Sequence, residues 1–150
     1  MKKSSILIIL IILAICVVGF LCFGNSLRGE VVKVGGTDFI VPEGYHQDAP
    51  NKLGDVTISN GTHKIFLEEH NDTDVDKYIK NYESFCKKHN QTVKVSKLNV
   101  DGVEFYKSFN EDNPQTVYYW FMKGDKTYDI YKWHENKEMD HLVIDFIKSN

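Results

Sequence analysis

Four acids stand where a calcium-binding loop of the EF-hand type would put them. Asp72, Asp74, Asp76 and Glu83 occupy loop positions 1, 3, 5 and 12, with apolar Ile79 at position 8; oxygens from such positions coordinate Ca²⁺. Position 6 requires a glycine for its sharp turn, and this chain has Lys77 there. The loop also needs a helix before it, where the sequence reads as a strand, and a helical stripe already starts at Val75. These acids are therefore assigned to helix capping, not to a metal. A second constellation, His134, Glu138, His141 and Asp145, falls on one helical face at a spacing that can hold zinc. It lies opposite the apolar stripe Met139, Leu142, Val143 and Phe146, so it reads as a solvated face. His46, His63, His70 and His89 form no ligand spacing. The acidic pairs Glu68-Glu69 and Glu111-Asp112 are of a kind that any acidic surface carries. The chain has no H-E-x-x-H, C-x-x-C, G-x-S-x-G or glycine-rich phosphate loop. No catalytic, cofactor or metal residue is assigned.

The aromatic residues carry a different chemistry. Three strands are expected at Val103–Phe109, Gln115–Met122 and Lys126–Trp133. Pairing Phe109 with Gln115 and Met122 with Thr127 puts Val103, Phe105, Phe109, Val117, Tyr119, Phe121, Tyr128 and Ile130 on one face, a core. The other face collects Tyr106, Tyr118, Trp120, Met122, Tyr131 and Trp133. Rings with hydroxyl and indole handles suit a partner or sugar surface, which makes Tyr106, Tyr118, Trp120, Tyr131 and Trp133 the candidate binding residues. Under a covering helix the same face would be ordinary core, and a one-residue slip would exchange the two faces.

The elements that must position these residues follow from periodicity. Thr37–Val41 reads as a strand stopped by Pro42-Glu43-Gly44. Val56–Ser59, Asn60-Gly61 and Thr62–Glu68 read as a hairpin with a type I′ turn. Val75, Tyr78, Ile79, Tyr82, Phe85 and Cys86 form one stripe of a 3.6-period helix, with Thr73 and Asp76 as its capping box. Cys86 lies in that stripe and reads as core. A strand at Val93–Leu98 precedes the three above, with turns at Asp101-Gly102, Asn110–Pro114 and Lys123-Gly124-Asp125. A last helix, about Glu135 to Lys148, buries Met139, Leu142, Val143, Phe146 and Ile147. Runs of strands separated by single helices predict an α+β fold, an antiparallel sheet packed with two helices.

Several segments resemble PsbP-like domains. Phe39-Ile40-Val41-Pro42-Glu43-Gly44-Tyr45 is similar to their opening strand with its proline, glycine and aromatic. Val100-Asp101-Gly102-Val103 is similar to their turn into the meander, Gly124 through Tyr131 to a "g-x-x-y-x-i" strand, and Val143 to Ser149 to a closing "f-x-x-i-x-x-S" helix. The likeness covers about residues 37–150. It implies an antiparallel sheet with helices on both faces, in small secreted or membrane-anchored proteins of which some bind larger protein complexes. No site motif of the family matches, so no functional residue carries over.

The N-terminus supplies a location. After a short tail, residues 1–5, the run Ile6 to Phe23 holds no charge. As a helix it would reach about 27 Å, close to a bilayer core of about 30 Å. A secretory h-region is shorter, about 7–15 residues, so an uncleaved single-pass anchor fits better than a removed signal peptide. Cys16 follows Ile15 and Cys22 follows Leu21, both too bulky for a lipoprotein box. Lys2 and Lys3 precede the span, which favours a cytoplasmic tail and an outer C-terminal domain. Residues 24–36 read as a tether around a possible small strand Val31–Val34, and residues 37–150 as the extracytoplasmic domain. Two of the three cysteines lie in the span, so Cys86 alone cannot staple the domain. Sequons at Asn60, Asn71 and Asn90 suit an outward-facing surface.

Charge excludes one partner class. Without Lys2 and Lys3 the net charge falls from −3 to −5, and the one arginine, Arg28, sits in the tether. Phosphate readers favour the arginine fork and a positive field, so nucleic acid is not an expected ligand. The sequence thus predicts a membrane protein, anchored through Ile6–Phe23, whose outer domain binds a protein or cell-surface partner without catalysis or cofactor. The alternatives are a metal-dependent accessory protein or hydrolase whose site assembles only in the fold, and a structural envelope protein valued for its glycans.

Overall fold

The computed structural model describes residues 29–133 and 136–150. The expected anchor Ile6–Phe23, together with Arg28 and His134, lies outside these residues. Among the described residues no helix is long and apolar enough to cross a membrane.

The elements are β1 (Val31–Val34), β2 (Thr37–Ile40), β3 (His46–Asp48), β4 (Val56–Ser59), β5 (Lys64–His70), α1 (Val75–Lys88), β6 (Val93–Val100), β7 (Val103–Asn110), β8 (Thr116–Lys123), β9 (Lys126–Trp133) and α2 (Lys137–Ser149). β1 and β2 form a separate hairpin; the main sheet runs β3-β4-β5-β9-β8-β7-β6. All of its pairs are antiparallel. The fold is α+β, an antiparallel sheet with two helices, as the element order predicts. After β5 the chain crosses through α1 to the far edge and returns strand by strand, so that β9 closes on β5.

Alternation along each strand divides the sheet into two faces. One buries Phe105, Val117, Tyr119, Phe121, Tyr128, Ile130, Ile65 and Leu67 against Val32, Val34 and Phe39 of the hairpin and Met139, Val143, Phe146 and Ile147 of α2. Phe39 stacks on Phe146 with ring centroids 5.9 Å apart. Each large apolar side chain buried this way contributes about 1.5–3 kcal/mol. Part of the opposite face lies under α1, whose buried Ile79 and Cys86 mark its inward stripe.

Four local expectations are corrected. Phe109 pairs with Val117, not Gln115, while Met122 pairs with Thr127 as read. The two-residue shift leaves every side chain on its expected face, because the period is two. The Asn60-Gly61 hairpin exists, but Ser59 pairs with Lys64, leaving a loop of 60–63. This register sets buried Ile58 opposite buried Ile65. Asn60 has no positive φ; instead its Oδ1 accepts from the amides of Thr62 and His63, at 3.0 and 2.8 Å, so the turn is not type I′. At α1 the N-cap is Asp74, whose Oδ1 accepts from Lys77 N at 3.0 Å, not Thr73. Finally, Val31–Val34 pairs with Thr37–Ile40 and buries Val32 and Val34, so these residues belong with the folded body rather than with a tether. β3, a short strand of His-Gln-Asp at the sheet edge, is an element that sequence periodicity gave no sign of.

Candidate functional site

α1 covers only part of the aromatic face. Its stripe sets Tyr78 and Tyr82 over Trp120, with the Tyr82 ring centroid 4.9 Å from the indole. Trp120 is 1% exposed and stacks on Tyr118 at 5.4 Å. Of the five candidate binding aromatics, Trp120 is therefore withdrawn from the surface. Tyr106 is tied to the first turn of α1 by its hydroxyl, which donates to Asp76, and Lys97 Nζ sits 5.6 Å from its ring centre. Tyr118, Tyr131 and Trp133 lie toward the uncovered side, where Phe66 joins them.

These rings floor a cleft of about 480 Å³. Phe66 stacks on Tyr131 at 4.7 Å, Trp133 meets Phe66 edge-on at 6.4 Å, and Tyr118 lies 5.6 Å from Tyr131. Trp133 is 54% exposed and Leu53, on the lip, 83%. The loop before β4 fixes the floor. Asn51 Oδ1 accepts from the amides of Leu53 and Asp55, at 2.9 and 3.0 Å. Asn51 Nδ2 donates to Asp55 Oδ2 at 2.7 Å and to the Tyr131 hydroxyl at 2.8 Å. That hydroxyl in turn donates to Asp55 Oδ2 at 2.8 Å. Burial and then Asp55 raise the Tyr131 hydroxyl pKa above its ordinary value, so it stays a neutral donor.

Next to this floor an acidic cluster forms across two strands. Glu68 and His70, two apart on β5, share a face, and Asp129 of β9 is paired opposite Glu68. One ligand atom from each lies within 4.8 Å of the others. His70 Nε2 is 2.8 Å from Asp129 Oδ2 and 3.5 Å from the Tyr78 hydroxyl. Asp129 is 4% exposed, and its Oδ1 and Trp120 Nε1 are buried without a hydrogen-bond partner among the described residues. Burial pushes the Asp129 carboxyl above the usual range, against the pull of His70. Burial would lower His70, but Asp129, Glu68 and Asp72 prevail and raise it. Glu68 is raised by burial and by Asp129, and Tyr78 to about 12 by burial, Asp129, Glu68 and Asp72.

The other sequence-stated constellations do not converge on a site. Asp74 caps α1 and Asp76 holds Tyr106, while Glu83 stands exposed on the same helix. Glu138, His141 and Asp145 are exposed on α2, as a solvated face requires, and Cys86 is a free, buried core residue. The Glu68–His70–Asp129 cluster is what sequence reasoning missed. Its first half depends on β5 running on to His70, two residues past the expected strand end at Glu68, which sets both side chains on one face. Asp129 joins only through the β5–β9 pairing, which links residues about sixty positions apart. The chain matches no protein-family model and no curated protein.

Proposed function

We propose that this chain is a membrane-anchored, extracytoplasmic module that binds a protein or cell-surface partner without catalysing a reaction. The reading rests on one observation: α1 stops short of Tyr131 and Trp133, leaving a rigid aromatic floor open beside Asp55 and Glu68. Flat rings offer large contact area at low entropic cost, and exposed aromatics at the centre of a polar rim are how binding surfaces concentrate their energy. The anchor Ile6–Phe23 would hold the domain at the cell surface, and the three sequon asparagines are all exposed. A sheet with a helix on each face is also the arrangement that the PsbP-like resemblance implies.

A photo-crosslinking side chain at Leu53, on the lip of the cleft, tests this in native membranes. A discrete adduct from position 53, absent from exposed Lys88 on α1 and lost with Trp133→Ala, is the expected result. No adduct from position 53, or equal adducts from both positions, would end the proposal.

A further inference from the structure

Asp129 poses a question that the aromatic cleft does not answer. A carboxylate buried at the centre of a sheet is costly unless both oxygens are served, and here one of them is not. Oδ2 has His70 Nε2 at 2.8 Å; Oδ1 has no partner among the described residues. The Trp120 indole N–H is near enough to favour the ionised carboxylate yet outside hydrogen-bonding geometry. Glu68 lies directly opposite Asp129, and His70 is two residues further along β5, so this carboxylate sits in a cluster whose ligand atoms could hold a cation.

The donor set says which kind. One imidazole nitrogen and two carboxylate oxygens, from two rigidly paired strands, lie within 4.8 Å of one another. Ligand atoms bound about 2.1 Å from a tetrahedral ion sit about 3.4 Å apart, so the 2.8 Å between His70 and Asp129 would open by roughly half an ångström to admit it. Purely oxygen-lined sites suit Ca²⁺ and Mg²⁺, whereas an imidazole shifts preference to first-row transition ions. Glu68 is exposed, so coordination positions on its side would remain open to water or a ligand. We propose that Glu68, His70 and Asp129 bind one divalent first-row transition-metal ion, with Zn²⁺ the tightest of the common candidates tested below. The ion would sit between His70 and Asp129, on the side of Oδ2, with the Tyr78 ring, 4.6 Å from the imidazole ring, holding the ligand's orientation. Glu68 also borders the cleft, but this inference needs no partner bound there.

The test uses the full chain in detergent, stripped with EDTA, and zinc chloride as the probe. Calorimetric titration is expected to show a site of one Zn²⁺ per chain. Tm should rise by roughly 10 °C at a free-metal concentration of about 100 times Kd, with Ca²⁺ and Mg²⁺ giving no such rise. His70→Gln should weaken Zn²⁺ more than about 100-fold, since changing even an outer-shell partner costs about 10- to 100-fold. Glu68→Gln, at an exposed position, should weaken it at least about tenfold. In a Trp133→Phe background, Co²⁺ should quench the remaining Trp120 emission, since Trp120 is paired across the strands with Asp129. Absence of stoichiometric Zn²⁺ binding would overturn the proposal. So would Zn²⁺ affinity unchanged by both Glu68→Gln and His70→Gln, which would place the ion elsewhere, or a response to Ca²⁺ equal to that to Zn²⁺.

Discussion

Lys132 is fully buried, and its ammonium lies 2.9 Å from Asp140 Oδ1; Lys107 Nζ is 2.9 Å from Oδ2, and the Tyr119 hydroxyl donates to the same carboxylate. Burial alone would raise the Asp140 pKa, but hydrogen bonds from Lys132, Tyr119 and Lys107 overturn that and hold it at about 2. The folded pKa therefore lies below the unfolded value of 3.8. The resulting stability is fully present above about pH 5 and is lost as pH falls from about 4 through 2. With allowance for screening at its partly exposed edge, the loss is about 1–2 kcal/mol. Urea denaturation at pH 5 and pH 2.5 measures it: wild type should lose this increment beyond whatever Asp140→Asn loses over the same interval. At pH 7, Asp140→Asn should itself cost about 3 kcal/mol, as removing one partner of a buried ion pair does. Equal acid sensitivity of the two proteins would refute the assignment. At this scale the sequence is only half legible. Alternation along β9 places Lys132 on the core face with Tyr128 and Ile130, an apparent contradiction of burial rules. Its resolution lies in α2, because Asp140 meets Lys132 only when that helix packs onto the sheet.

Elements were the most legible scale, because apolar period and turn chemistry are local. Both helices and the four-strand meander stand where the period puts them. The lapses are equally physical: β3 has no β-branched or aromatic residue to announce it, and the burial of Val32 and Val34 depends on a hairpin packing against the sheet at β5. What the period cannot give is how far a helix, or a hairpin such as β1-β2 lying against β5, reaches across a sheet. α1 ends its cover between Trp120 and Trp133, which makes the two tryptophans reporters of opposite environments. With each indole isolated by Trp120→Phe or Trp133→Phe, acrylamide should quench Trp133 at least about threefold more efficiently than Trp120. Comparable quenching of both would mean that α1 does not seat on Trp120, and the division of the aromatic face would fall with it.

For the whole molecule, the decisive junction is β5 against β9. It joins an early hairpin unit, β3-β4-β5, to a meander that closes locally, and neither the hairpin nor the meander sequence encodes the pairing. Both candidate sites straddle that junction: Phe66 stacks on Tyr131 in the cleft, and Glu68 faces Asp129 in the proposed metal site. Such non-local pairing forms late and at an entropic cost, so it must be held by core contacts from both sides. Leu67 and Ile130 are one such pair, directly opposite and both fully buried. Leu67→Ala should cost about 2–5 kcal/mol. Both tryptophans lie on the meander side, at positions 120 and 133, whereas Leu67 lies on the other. If the sheet unfolds as one unit, the tryptophan-reported midpoint in urea must fall by the same amount as the midpoint from far-UV circular dichroism. A tryptophan midpoint left in place while the dichroism midpoint drops would show two halves unfolding separately. Two halves that part in this way could not hold residues from both at fixed distances, and neither the cleft nor the metal site would then be pre-formed.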